Sequence, residues 1–157
     1  MRAYADTNLL TGLFLRIGQL LVAEELVAQG KASGMDAMPV TELLRVELGN
    51  AFQLHVFLSR TTGQWRVSPE TAGAAFAQFE EDLVRAQFLE AADLNWPDLR
   101  SAAVELSLRH TAQHGFRTYD LLHVAAALLL GCDAFWSFDA KARRLAELEG
   151  LSLNPMP

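Results

Sequence analysis

Five short apolar runs, each separated from the next by a longer helix-forming stretch, constrain this chain more than any other feature. They fall at residues 2–5, 37–40, 87–90, 134–138 and 151–153. Between them, helices are predicted over 9–29 with a break at Gly18, then over 42–57, 69–84, 97–114, 119–130 and 140–149. Parallel strands need crossover connections of this length, and such crossovers are usually helices. The alternation therefore predicts a parallel sheet wrapped by helices. Local punctuation agrees with it. Ser68-Pro69 and Asn95-Trp96-Pro97 pair a capping side chain with a first-turn proline, and Gly115 and Gly131 are helix stops. Residues 59–66 read as a loop with a short extended piece around Trp65. No repeat, low-complexity tract or linker divides the chain, so residues 1–157 are expected to form one domain.

Composition narrows the class. Half of the chain is apolar and a fifth is charged, as in ordinary globular proteins. A net charge of −6 argues against binding nucleic acid or an anionic membrane by bulk attraction. It leaves room for local binding, because an acidic pocket can carry much of that charge and metal ions offset it. Cys132 is the lone cysteine and has no partner for an intrachain disulfide, as expected for a cytoplasmic protein. Asp6 and Asn8 interrupt the N-terminal stretch where a secretory apolar segment would begin. Residues 121–132 are strongly apolar but contain His123 and are too short to span a bilayer, so they are predicted to form a buried core helix.

Four carboxylates occupy special places in this layout. Asp6 follows the first strand, Glu47 lies on the helix after the second, Asp120 opens the buried helix and Asp139 follows the fourth strand. Ligands of open parallel sheets bind outside the carboxyl ends of the strands. Acids gathered there repel one another unless a cation neutralises them, which predicts a divalent-metal site. Each Asp also has a structural reason for its position. Asp6-Thr7-Asn8 is a good helix cap, and Asp120 and Asp139 sit at helix starts, where the macrodipole favours a carboxylate. Glu47 is harder to explain that way. Helical spacing groups it with Leu43, Asn50, Leu54 and Phe57, a mainly apolar stripe that predicts Glu47 and Asn50 to point inward. The polar face is then Glu42, Arg45, Gln53 and Arg60. An inward carboxylate is paired with a cation such as Arg, protonated or bound to metal. Asp133 begins the strand that Asp139 follows, roughly 20 Å away, so the two cannot share a site.

Three segments resemble the PIN domain, most closely the VapC-type ribonuclease toxins of bacterial toxin–antitoxin pairs. They are YADTNLL at 4–10, LLRVELGNA at 43–51 and YDLLHVAAALLLGCDAFWSFDAKARRLAELEGL at 119–151. The resemblance implies a three-layer α/β/α sandwich around a central, mainly parallel five-stranded sheet. It places the family's acidic quartet on Asp6, Glu47, Asp120 and Asp139. The hydroxyl before the last acid falls on Ser137 and the polar residue after the first on Asn8, both in supporting roles. The activity implied is hydrolysis of RNA phosphodiester bonds with one or two Mg²⁺ or Mn²⁺ ions, leaving 5′-phosphate and 3′-hydroxyl ends. Asp6 and Asp120 are the expected direct ligands, with Glu47 and Asp139 binding directly or through water.

Around the acids, Arg117, Lys141, Arg143 and Arg144 are candidates for phosphates flanking the cut. Arg143 and Arg144 could equally pair with Glu147 and Glu149 on their own helix. His123 reads as a hydrogen-bonded core histidine, His110 and His114 as a helix end, and Trp136 as a core aromatic. By the same resemblance the partners are an RNA substrate, a cognate antitoxin and a second copy of the chain, with no membrane. Leu13, Phe14, Leu20 and Leu21 are candidates for a dimer or antitoxin surface. Alternatives are an RNA-processing or decay nuclease of the same family, or a module that binds RNA or protein without cutting. An aspartate-nucleophile phosphatase fits poorly, because Asn8 stands where its general acid should be.

Overall fold

Each apolar run forms a strand, four of them shortened within the predicted bounds and the third shifted to end one residue later, at Ala91. The computed structural model describes residues 1–18, 20–64 and 66–155, and of Leu20 the backbone alone. The strands are β1 (Ala3–Ala5), β2 (Met38–Val40), β3 (Leu89–Ala91), β4 (Ala134–Trp136) and β5 (Ser152–Leu153). All described ladders are parallel, with β4 between β1 and β5 and with β2 beside β3. β1 and β2 lie side by side, and a hydrogen bond from Asp36 N to Met1 O (3.1 Å) joins their approaches. The expected five strands are thus present as a three-stranded and a two-stranded ladder, arranged β5-β4-β1-β2-β3. From β1 the chain builds β2 and β3 on one side and then crosses to build β4 and β5 on the other. The connections reverse between β1 and β4, where an open parallel sheet leaves a crevice at the strand ends.

Capping chemistry sets where the helices begin. Asp6, Thr41, Ser68, Asn95 and Asp139 each accept a backbone N–H at the starts of α1 (Thr7–Leu15), α3 (Glu42–Thr62), α4 (Pro69–Arg85), α5 (Trp96–Leu106) and α8 (Ala140–Leu148). The predicted break at Gly18 separates α1 from α2 (Leu20–Ala32), and Gly18 takes a left-handed φ of 63° there. Helix α3 outruns its predicted end and stops only at Gly63. Residues 59–62 of the predicted loop are therefore helical, and the piece around Trp65 falls outside the described residues. The single helix predicted over 97–114 contains a π-helical turn, Ser107–Thr111, between α5 and α6 (Ala112–His114). Glu149 closes over this turn, accepting from Arg109 (3.0 Å) and pairing with His110 Nε2 (2.6 Å).

The face of α3 differs from the one predicted. Leu44, Leu48, Phe52 and Val56 face the core, whereas Leu54 and Phe57 are 49% and 59% exposed. Asn50 is exposed too, and Glu47 reaches the crevice from the edge of the buried face. Helix α7 (Thr118–Leu129) is buried from Asp120 through Ala127, as expected for a helix apolar on all sides. Ala125, Ala126 and Ala127 let it sit close to its neighbours. Tyr4 on β1 stacks on Phe135 of β4 with centroids 5.8 Å apart, and both are fully buried. Trp136 is buried in the same core. Among the described residues, no helix is long and apolar enough to cross a membrane.

Candidate functional site

The crevice at the switch point is a cavity of about 600 Å³, and Asp6, Glu47, Asp120 and Asp139 all line it. Strand pairing delivers the first and last of these. The β1–β4 register pairs Ala5 with Trp136, and Asp6 N continues the ladder to Trp136 O (3.0 Å). Asp6 thus lands beside Ser137. The Ser137 hydroxyl donates to Asp6 Oδ2 (2.5 Å) and accepts from the Asp139 N–H (2.9 Å). Asn8 spans the same gap, accepting from Phe138 N (3.0 Å) and donating to Ser137 Oγ (3.4 Å). Behind them, Asn154 accepts from Ser137 N (2.8 Å), and Arg143 Nη1 bonds to Asn154 and to the Ser137 carbonyl (2.8–3.1 Å).

Glu47 enters from α3 and, among the described residues, is held through Oε2. The Thr7 hydroxyl donates to that oxygen, and the His123 Nε2–H contacts it as well. On its far side, His123 meets the hydroxyl of Tyr4 through Nδ1 (2.9 Å). The buried partner of Glu47 is therefore a histidine rather than the arginine weighed above. Asp120 stands in the first turn of α7 and accepts the Arg117 backbone N–H (3.0 Å). The Arg117 guanidinium grips both oxygens of Asp120 (3.2 and 3.1 Å) and reaches Asp139 Oδ2 (2.8 Å). Asp139 Oδ1 meanwhile caps α8.

Burial and hydrogen-bond partners set Asp6 apart from Glu47 and Asp139. Burial pushes the Asp6 carboxyl up to about 6, against hydrogen bonds from Ser137 and the Leu9 N–H that pull it back. Glu47 and Asp139 are also raised by burial, but their partners overcome it. His123 and Thr7 bring Glu47 below its ordinary value, and backbone N–H groups with Arg117 do the same for Asp139. Arg117 is driven further into its charged form, mainly by Asp120 and then by Asp139.

The lining carries four carboxylates and a single guanidinium, so the cavity is short of positive charge. Its carboxylate and hydroxyl oxygens suit a hard divalent cation better than zinc. A cationic group, the Arg117 fork, already bridges two of the acids, which is the behaviour a cation site should have. Among the described residues, no three His, Cys, Asp or Glu side chains close on one point in this arrangement. Each acid is instead engaged by a donor of the chain. The residues fit Mg²⁺ or Mn²⁺ in chemistry, with Arg117 the group that would have to yield.

The other predicted positions are spread more widely. Arg117 lines the cavity, while Lys141 Nζ is tied to Gly115 O (2.8 Å) and Arg144 to Glu147 (2.6 Å). Arg143 buttresses the loop that carries Ser137. Leu13 and Phe14 are half-buried and line a second cavity of about 460 Å³, Leu21 is 79% exposed, and the Leu20 side chain lies outside the described residues. His123 is the hydrogen-bonded core histidine expected, with Glu47 as an unforeseen partner, and sequence reasoning missed the parts played by Thr7 and Asn154. Helical spacing put His123 on the face of Asp120, a usable signal. Nothing in the sequence marked Asn154.

A PIN domain family model matches residues 3–148, nearly the whole chain, and the chain belongs to that family. No curated protein matches it in sequence. Among solved structures, a chain of VapBC2 from Rickettsia felis, bound to a DNA fragment from their promoter, is similar at a TM-score of 0.64 and 15% identity. The match covers 98% of this chain and 97% of that one. At such low identity the likeness shows a shared fold.

Proposed function

We propose that this PIN domain chain is a metal-dependent endoribonuclease, the toxin of a VapBC-type toxin–antitoxin pair. The observation that carries the reading is the convergence of Asp6, Glu47, Asp120 and Asp139 on one cavity at the switch point of the sheet. PIN domains are generally nucleases, and the structural likeness to VapBC2 supports the toxin–antitoxin setting. Asp6 and Asp120 are the proposed direct ligands of Mg²⁺ or Mn²⁺, with Glu47 and Asp139 binding directly or through water. When bound, one or two such ions lower the pKa of a water, orient it towards phosphorus and offset the charge developing on the phosphate.

The chain's own groups do the rest. Ser137 fixes Oδ2 of Asp6 and aligns the Asp139 N–H, and Asn8 ties the β4–α8 loop to α1. Arg117 is exposed along much of its length and can leave the carboxylates for a phosphate beside the cut. Lys141 is the next candidate. Arg143 is engaged through Nη1 and has only its other nitrogens to offer. An antitoxin that presents a cationic group to the acidic cavity, a second copy of the chain and a cytoplasmic location complete the reading.

Mapping the ends of cleaved RNA tests the mechanism. Water activated by metal leaves 5′-phosphate and 3′-hydroxyl ends. A 2′,3′-cyclic phosphate would instead mean attack by the ribose hydroxyl, and the carboxylate mechanism would fall. The toxin assignment predicts that expression of the wild type arrests growth while Asp6→Asn does not. Equal growth of the two strains at equal protein levels would contradict it.

A further inference from the structure

We propose that His123 is a positioning residue for Glu47, and that Tyr4 sets the tautomer in which it works. This rests on the metal-site reading above and adds a buried chain of groups to it. Tyr4 and His123 are buried, and Glu47 is part-buried at the cavity wall. The Tyr4 hydroxyl lies 2.9 Å from Nδ1 of His123, and the Glu47 carboxylate facing Nε2 can only accept, so Tyr4 donates to Nδ1. The imidazole proton is thereby directed to Nε2, which faces Glu47. The other donor to the carboxylate, the Thr7 hydroxyl, meets the same oxygen, Oε2.

The consequence is asymmetric. Both described donors hold Oε2, and Oε1 carries no hydrogen bond among the described residues. A free carboxylate rotates and presents either oxygen, and the long Glu side chain has rotamers to lose on ordering. Pinning one oxygen from behind leaves the other fixed as an acceptor for a cation or its water. Groups behind the ligands of a metal act in this way, by orienting a ligand they do not replace. A ring on α7 is well suited to the task. Asp120 lies one turn earlier on the same helix, so a single rigid element would set two of the four acids relative to each other.

The test is Mn²⁺ binding by titration calorimetry, on purified full-length protein whose folding is checked by circular dichroism. The variants are His123→Leu, His123→Gln, Tyr4→Phe, Glu47→Gln and the double variant His123→Leu with Glu47→Gln. His123→Leu is expected to weaken Mn²⁺ by roughly tenfold or more, the usual effect of removing a group behind a ligand. Gln places an amide N–H near the position of Nε2, so His123→Gln should recover most of the affinity. Tyr4→Phe should give a smaller loss. The double variant should bind no more weakly than Glu47→Gln alone, because His123 acts through Glu47.

Wild-type affinity in folded His123→Leu, or additive losses in the double variant, would overturn the assignment. If His123→Leu does not fold, Tyr4→Phe decides, and unchanged Mn²⁺ affinity there would overturn it equally. Failure of the wild type to bind Mn²⁺ would bring down the metal site itself, and this inference with it. That outcome shows before any variant is made.

Discussion

At the scale of single residues, Asp6 combines three duties that conflict. It caps α1, accepts from Ser137 and carries charge in a site where it is 5% exposed. Burial raises its carboxyl from the ordinary 3.8 to about 6 in the folded protein. The native state therefore holds the proton more tightly, and the stability due to Asp6 is full below about 4 and is lost as pH rises towards 6. Asp6→Asn keeps a good cap and removes the charge. In EDTA it should stabilise the protein at pH 8 by on the order of 2 kcal/mol and by little at pH 4. Urea unfolding at the two pH values checks this, and an equal effect at both contradicts it. Arg117→Gln is expected to cost metal-free protein at most about 1 kcal/mol, less in high salt, because the guanidinium is largely exposed. Positions like Asp6 were legible from the sequence because a carboxylate after a buried strand has few roles. Thr7 and Asn154 were not, since their meaning depends on which distant group the fold brings to them.

At the scale of elements, α3 shows how far a pattern reaches. Leu43, Leu54 and Phe57 make one apolar stripe, and Leu44, Leu48, Phe52 and Val56 make another. Periodicity weighs the two alike, and packing against α1 and α4 selects the second. Leu48→Ala should therefore cost about 2–5 kcal/mol, whereas Leu54→Ala should stay within about 0.5 kcal/mol. Denaturant midpoints of the two variants test the orientation, and a larger loss at Leu54 would restore the first stripe. The five strands and the helix starts could be read because Asp, Ser, Thr and Asn caps act locally. The π-helical turn at Ser107–Thr111 could not. It depends on an irregular hydrogen-bond step and on Glu149, nearly forty residues away in sequence. The gap between the β1 and β2 ladders was equally hidden, because each run looks like any other buried strand.

At the scale of the whole molecule, a chain of net charge −6 concentrates four acids around one cavity and supplies a single guanidinium there. Occupancy by a divalent ion should relieve that imbalance. Mg²⁺ or Mn²⁺ at a hundred times its dissociation constant is expected to stabilise the fold by about 2.7 kcal/mol over EDTA, and to do far less in Asp6→Asn. Thermal unfolding with and without metal measures the difference, and identical transitions would speak against a metal site. The resemblance of three segments implied the proposed ligand set, but it said nothing of how Arg117 engages two of the acids. The most direct test of the account is cleavage of a labelled RNA pool by purified, antitoxin-free protein in EDTA, Mg²⁺ or Mn²⁺, beside Asp6→Asn. The account predicts cutting by the wild type that requires metal and disappears in the variant. An intact pool with folded, metal-loaded wild type, or cutting that survives EDTA or Asp6→Asn, would contradict it.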